Sequence, residues 1–287
     1  MTARRAAPAA HTFTAPLLAW YQRARRDLPW RRTRDPYRLL VSEVMLQQTQ
    51  AARVVDRYEA FLARFPTARA LAGAPPGDVL AAWSGLGYNR RALTLQRAAQ
   101  VVAREGWPAD AAGLRRLPGV GAYTAAAVAS FAWDEPVAAI DTNVRRVLAR
   151  VDRRRRPPAA LARRVARLLP PERAAAFNQA MMELGATVCT PRAARCPSCP
   201  VAATCRSRGL ADPPAWRRTA PQPRFLDTDR YLRGRIVAGL VAGEPPAPDG
   251  VDAARLERVV AGLERDGLVI RRAGRLRLPR SGELPIL

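Results

Sequence analysis

From residue 15 to about 133, apolar residues recur three and four apart in short blocks that proline and glycine interrupt. That spacing lays each apolar set along one side of a helix. Alternation of β-branched and polar residues, the mark of a half-buried strand, is scarce until the far C-terminus. The chain is therefore expected to be all-α and built from short helices. "APLLAWYQRARRDLPW" reads as one helix closed by Pro29, and "ALAGAPPGDVLAAWSGLG" as a turn followed by a helix. "ALTLQRAAQVVAREG" is a helix that stops at Gly106, and "FNQAMMELGATVC" is a helix that delivers the chain to its cysteines. Beyond Cys205, "GLADPPAWRRTAPQPRF" reads as a proline-rich linker. Two amphipathic helices follow, and "LVIRRAGRLRLP" alternates and turns at Ala273–Gly274 as a hairpin would. Helices followed by a basic hairpin resemble an abbreviated winged-helix domain, a small α+β module, with a plain packing module as the alternative.

With 287 residues the chain is long enough for two domains. Its formal net charge is +24, an excess that favours a polyanionic partner, although a coding bias toward arginine would raise it too. No lysine occurs anywhere, so no side-chain amine can form a Schiff base. No apolar run reaches the roughly 20 residues that span a bilayer, and "MTARRAAPAAHTF" lacks the apolar segment of a secretory signal. A cytoplasmic protein is expected.

One carboxylate sits where carboxylates are costly. In "LLVSEVMLQQTQ", Glu43 has Leu39, Leu40, Leu46 and Gln47 as its helical neighbours. A charged, unpaired glutamate there is unfavourable. Either a partner neutralises it, or apolar burial raises its proton affinity so that it can act as an acid at neutral pH. A second carboxylate, Asp141 in "AAIDTNVRRVLARV", precedes a helix with Val144, Val147 and Leu148 on one face, the position of an N-cap.

All four cysteines fall in "CTPRAARCPSCPVAATC", as Cys189, Cys196, Cys199 and Cys205. A disulfide framework does not suit a cytoplasmic chain. Zinc takes four thiolates, but its ribbons usually show two C-x2-C pairs, and one is present here. An iron–sulfur cube also takes four thiolates. In "RRLPGVGAYTAAAVASFA", Gly119 and Gly121 lie between two helices, where backbone N–H groups can approach a phosphate.

Taken together, "LPWRRTRDPYRLLVSEVMLQQTQ", "GLGY", "LPGVGAYTA", "IDTNVRRVLAR", "FNQAMMELGATVC" and the cysteine loop resemble the MutY-type adenine DNA glycosylases of the endonuclease III superfamily, in order and spacing, over roughly residues 13 to 210. The resemblance implies the helix-hairpin-helix glycosylase fold. A six-helix barrel domain is expected over 30–133, and an iron–sulfur cluster domain over 1–29 and 134–211. A linker over 212–225 and the small module over 226–287 follow. It implies a 4Fe–4S cluster on the four cysteines, and hydrolysis of the bond to an adenine mispaired with guanine or 8-oxoguanine in double-stranded DNA. It implies Glu43 as general acid, Asp141 as stabiliser of the sugar cation, and Tyr123 and Asn143 orienting them. Trp30, Arg31, Leu46 and Gln179 would line the adenine pocket. Gln48 and Tyr88 would wedge the stack around the opposing base, Thr49 would face that base, and Gly119 and Gly121 would grip the backbone. Relatives that also cut the strand carry a lysine where Tyr123 stands, so this chain is expected to leave an intact abasic site. A monomer is also expected. Many relatives end in a larger Nudix-like domain that checks for 8-oxoguanine; residues 226–287 are too few for it. Two rival readings remain: a thymine or uracil mismatch glycosylase of the same fold, and a non-enzymatic DNA-binding protein with a structural metal.

Overall fold

Short polar side chains decide where many of the helices begin. Thr67, Asp110, Asp141, Thr228 and Asp252 each accept a hydrogen bond from a backbone N–H of the turn they precede, satisfying donors that have no intrahelical partner. The computed structural model describes residues 8–213, 216, 224–244 and 250–283. Most of the proline-rich stretch expected as a linker lies outside the described residues. The elements divide into two units, one of residues 1–39, 109–115 and 120–219, the other of 40–108, 116–119 and 220–287.

The first unit holds α1 (Pro8–Ala24), α7 (Ala111–Leu114), α8 (Ala122–Trp133), α9 (Thr142–Val151), α10 (Pro158–Ala166) and α11 (Ala174–Thr187). Helix α11 packs against α1, α8 and α9. Phe13, Leu17, Val147, Leu148, Phe177 and Leu184 are at the centre of its core, against which Cys189, Cys199 and Cys205 also pack. The expected first helix ends earlier than Pro29. Helix α1 stops at Ala24, and Pro29–Arg31 forms a separate single turn. The reason is a buried carboxylate: Glu183 Oε1 accepts the backbone N–H of Arg26 at 3.2 Å, a donor that a continuing helix would have turned to its own carbonyls.

Helix α2 (Pro36–Leu46) leads into the second unit, which holds α3 (Ala51–Arg64), α4 (Ala68–Gly73), α5 (Pro76–Ala82), α6 (Arg90–Glu105), α12 (Asp229–Ala242) and α13 (Ala253–Arg265). The stretch before α5, expected as a turn, carries the short helix α4, started by the Thr67 cap. Helix α6 packs on α4 and α5, and α3 on α5. Phe61 meets Phe65 and Trp83 edge to face, at 5.0 and 5.8 Å between ring centres. Beyond α13, β1 (Ile270–Arg272) and β2 (Arg275–Arg277) pair antiparallel around Ala273–Gly274, the hairpin that the alternation anticipates. This C-terminal segment packs into its unit: α12 lies on α5, and Gly77 N–H donates to Pro279 O at 3.0 Å. No described helix is long and apolar enough to cross a membrane.

Candidate active site and cysteine loop

Asp141 caps α9 and is held from two sides. Its Oδ1 accepts the Val144 N–H at 2.7 Å, and its Oδ2 accepts Asn143 Nδ2 at 2.7 Å. Asn143 is itself fixed, because its Oδ1 accepts Arg146 Nη2 at 2.7 Å. Arg146 also donates to Gly185 O at 2.7 Å and to Cys189 O at 2.9 Å. A chain of hydrogen bonds thus runs from the Asp141 carboxylate to the first cysteine. Gly185 sits inside α11 for a steric reason: a Cβ there would stand 2.5 Å from Asn143 Cβ. Tyr123 opens α8 with its hydroxyl 3.7 Å from Met182 Sδ.

On the face of α11 one turn from Met182, Gln179 Oε1 accepts the Tyr21 hydroxyl at 2.7 Å. Four residues on, Glu183 is fully buried and gathers two arginines. Arg26 reaches both its oxygens at 2.7 and 2.9 Å, and Arg31 Nη2 reaches Oε2 at 2.6 Å. Burial pushes the Glu183 carboxyl up, but the hydrogen bonds from Arg26 and Arg31 outweigh it and hold it below the usual glutamate range. Trp30, in the turn beside Arg31, is buried. Glu183 and Arg26 escape sequence reasoning because nothing in a linear pattern pairs residues so far apart.

That cluster yields a stability prediction. Glu183→Gln leaves two guanidinium groups facing a neutral amide. The cost should be about 2–3 kcal/mol, below the figure for a fully buried pair because Arg26 is half exposed. The folded pKa of the carboxyl lies below its unfolded value. Its contribution is therefore complete above the ordinary glutamate range and disappears as pH falls through the lowered folded value. Denaturant unfolding should show a lower midpoint for the variant at neutral pH and a difference that shrinks in acid. A midpoint equal to that of the parent at pH 7 would contradict the assignment.

In the second unit, Glu43 lies on the last turn but one of α2 and is 5% exposed. Leu39 and Leu40 are buried, whereas Leu46 and Gln47 are half-buried, so the carboxyl sits where the core meets the surface. The loop that follows is held by Arg91, which the sequence gives no means of singling out. Its Nη1 donates to Val44 O, Met45 O and Gln47 O at 2.7, 3.1 and 2.6 Å, closing the carbonyl end of α2. Its Nη2 donates to Gly87 O at 3.0 Å and reaches Thr49 Oγ1 at 3.4 Å. One guanidinium thereby ties Leu46–Thr49 to Gly87–Tyr88. Gln48 and Tyr88 both adopt the left-handed conformation, at φ 57° and 48°, and the Tyr88 hydroxyl donates to Gln48 Oε1. Such backbone is sparsely populated for side chains of this size and persists only where surroundings enforce it.

Gly119 has φ +72°, and a Cβ there would overlap Thr94 Cγ2, so glycine is required on two counts. Gly121 starts α8 with its carbonyl accepting the Ala125 N–H at 2.9 Å, and a Cβ on it would meet open space. A backbone ligand can approach there, beside helix N–H groups that lack intrahelical acceptors.

The four cysteines line one cavity, walled by Val147, Leu184, Val188 and Val201. Arg150 reaches into its edge, donating to Cys189 Sγ at 3.3 Å and Thr190 O at 2.7 Å while paired with Asp212 at 2.7 Å. Burial pushes the Cys199 thiol up to about 11, and the other three cysteines add to that. Among the described residues, no three His, Cys, Asp or Glu side chains gather as the ligands of one metal ion. Four thiols are a donor set that both zinc and an iron–sulfur cluster take.

The family model of the HhH-GPD superfamily base excision DNA repair proteins matches residues 41–171. A thermostable thymine-DNA glycosylase aligns with a TM-score of 0.66 at 30% identity, covering 70% of this chain and 96% of that one. Endonuclease III from a non-covalent DNA complex aligns at 0.61 and 25% identity, covering 68% and 93%. The adenine DNA glycosylase of Mycolicibacterium smegmatis is 45% identical over 283 residues, 93% of this chain and 96% of that protein. The chain belongs to the adenine DNA glycosylase family, within the helix-hairpin-helix superfamily and with its all-helical fold.

Proposed function

We propose that this chain excises adenine mispaired with guanine or 8-oxoguanine from double-stranded DNA and leaves the strand intact. One observation carries the reading above the rest: the likeness, along nearly the whole length of both chains, to a protein named adenine DNA glycosylase. The residues supply the chemistry. Adenine leaves readily once a ring nitrogen is protonated, and Glu43, little exposed in an apolar helix, is the proton donor. The bond from C1′ to the base breaks with its electron pair going to the base. The sugar left behind carries positive charge, which Asp141 stabilises. Water then adds to C1′ and gives up a proton. Asn143 keeps Asp141 aimed by donating to its Oδ2. Trp30, Arg31, Leu46 and Gln179 contact the adenine; Gln48, Thr49 and Tyr88 meet the opposing base. Gly119 and Gly121 hold the DNA backbone, in keeping with the net charge of +24.

Cys189, Cys196, Cys199 and Cys205 would hold a 4Fe–4S cluster. The cluster would serve as a rigid cross-link that presents the loop arginines Arg192, Arg195 and Arg206 to phosphates.

No lysine is present to attack the sugar, so borohydride should trap no protein–DNA adduct and strand breaks should appear only after alkali. Prompt cleavage with a trapped adduct would refute this, and only the N-terminal amine could then be responsible.

A second reading, removal of thymine opposite guanine, draws on the likeness to the thermostable thymine-DNA glycosylase. Single-turnover assays on duplexes with A opposite 8-oxoguanine, A opposite G and T opposite G separate the two. Adenine release from the first two and no thymine release from the third is the expected pattern. Thymine release without adenine release would reverse the assignment.

A further inference from the structure

Arg230 projects from the first turn of α12, exposed to solvent, with its guanidinium centre 3.9 Å from the Tyr88 ring centre. On its other side, Phe225 lies 5.1 Å away, exposed and set edge to face with Tyr231 at 5.6 Å. Among the ion pairs of the described residues, none involves Arg230. A guanidinium set between the half-buried Tyr88 ring and the exposed Phe225 ring, and joined through Tyr88 to Gln48, alternates planar π-faces with cationic charge. Unstacked bases recognise that combination in proteins that bind nucleic acid away from the duplex stack.

The segment is delivered rigidly. Helix α12 packs on α5 and α13. Asp266 beyond α13 pairs with Arg233 of α12 and, at 3.5 Å, with Arg90, two residues past Tyr88. The Gly77–Pro279 hydrogen bond closes the other end. Arg91 meets the Tyr88 ring as well, at 5.3 Å, so the ring has a guanidinium from each of two helices. Holding one ring this firmly, in a strained backbone conformation, is wasteful for a side chain that only fills space.

We propose that Arg230 and Phe225 extend the Tyr88–Gln48 edge into a stacking platform for the purine opposite the excised adenine, a role that rests on the functional reading above. The C-terminal segment then reads the opposing base by stacking.

The test uses the full chain and duplexes whose adenine nucleotide carries a 2′-fluoro group that blocks release. One has guanine opposite the adenine and the other an abasic residue. R230M and F225A, both changes at exposed positions, should weaken binding of the guanine duplex about tenfold or more, and binding of the abasic duplex little. R230K keeps the charge but loses the planar stack, and should resemble R230M on the guanine duplex. Equal weakening on both duplexes, or parental affinity on both, would overturn the platform. Adenine release by the parent protein from an unmodified A·G duplex is scored alongside. With release intact, equal weakening fails the platform alone; no release fails the functional reading and the platform with it.

Discussion

Glu43→Gln is expected to slow adenine release by about 10³-fold, within the range of roughly 10²–10⁴ that a positioned acid contributes. Glu43 is 5% exposed on α2, with Leu39, Leu40 and Val44 buried along the same helix. In the proposed mechanism Glu43 gives a proton to the reacting base, and glutamine has none to give. Glutamine matches glutamate in size and keeps a polar head, so the helix and the Arg91 clamp beyond it should survive. Single-turnover release from an A·G duplex measures the effect, with thermal unfolding as the control for folding. Release at the parental rate from a normally folded variant would remove Glu43 from the mechanism.

Asp141→Asn should cost about 10²–10³-fold in the same assay, the scale of losing one preorganised charge opposite a developing cation. This substitution separates the observed cap from the proposed catalytic role of the same side chain. Asparagine caps helices about as well as aspartate, so the bond from Val144 N–H, 2.7 Å long in the parent, can be kept. Asn143 Nδ2 loses its acceptor on Oδ2, so stability should fall by about 1 kcal/mol while turnover collapses. Asp141→Ala should lose the rate and in addition about 1 kcal/mol of stability with the cap. A fully active Asp141→Asn would mean that Asp141 is a cap and nothing more.

The helices were legible because their causes are local. Apolar residues three and four apart, a capping aspartate and a closing glycine all act within one or two turns. The hairpin at Ala273–Gly274 was legible for the same reason: alternation on both sides of a tight turn leaves little else to form. The first helix shows the limit. Its apolar spacing continues toward Pro29, yet it stops at Ala24, because Glu183, far along the chain, takes the Arg26 N–H. Glu43 and Asp141 could be picked out by type and place. Arg26, Arg91 and Arg146 could not, in a chain whose 48 basic side chains are all arginine.

The order of residues by itself determined the helical class, the gathering of four thiols in one loop, the want of any side-chain amine, and the two carboxyl groups at helix positions. Folding in three dimensions decided which guanidinium closes α2, which pair buries Glu183, how Asp141 is linked through Asn143 and Arg146 to Cys189, and that Arg230 lies on Tyr88. Contacts within a turn are dictated by the fixed geometry of the helix. Contacts across tens or hundreds of residues arise only when packing brings their elements together, and a cation repeated 48 times carries no mark of the partner it will meet.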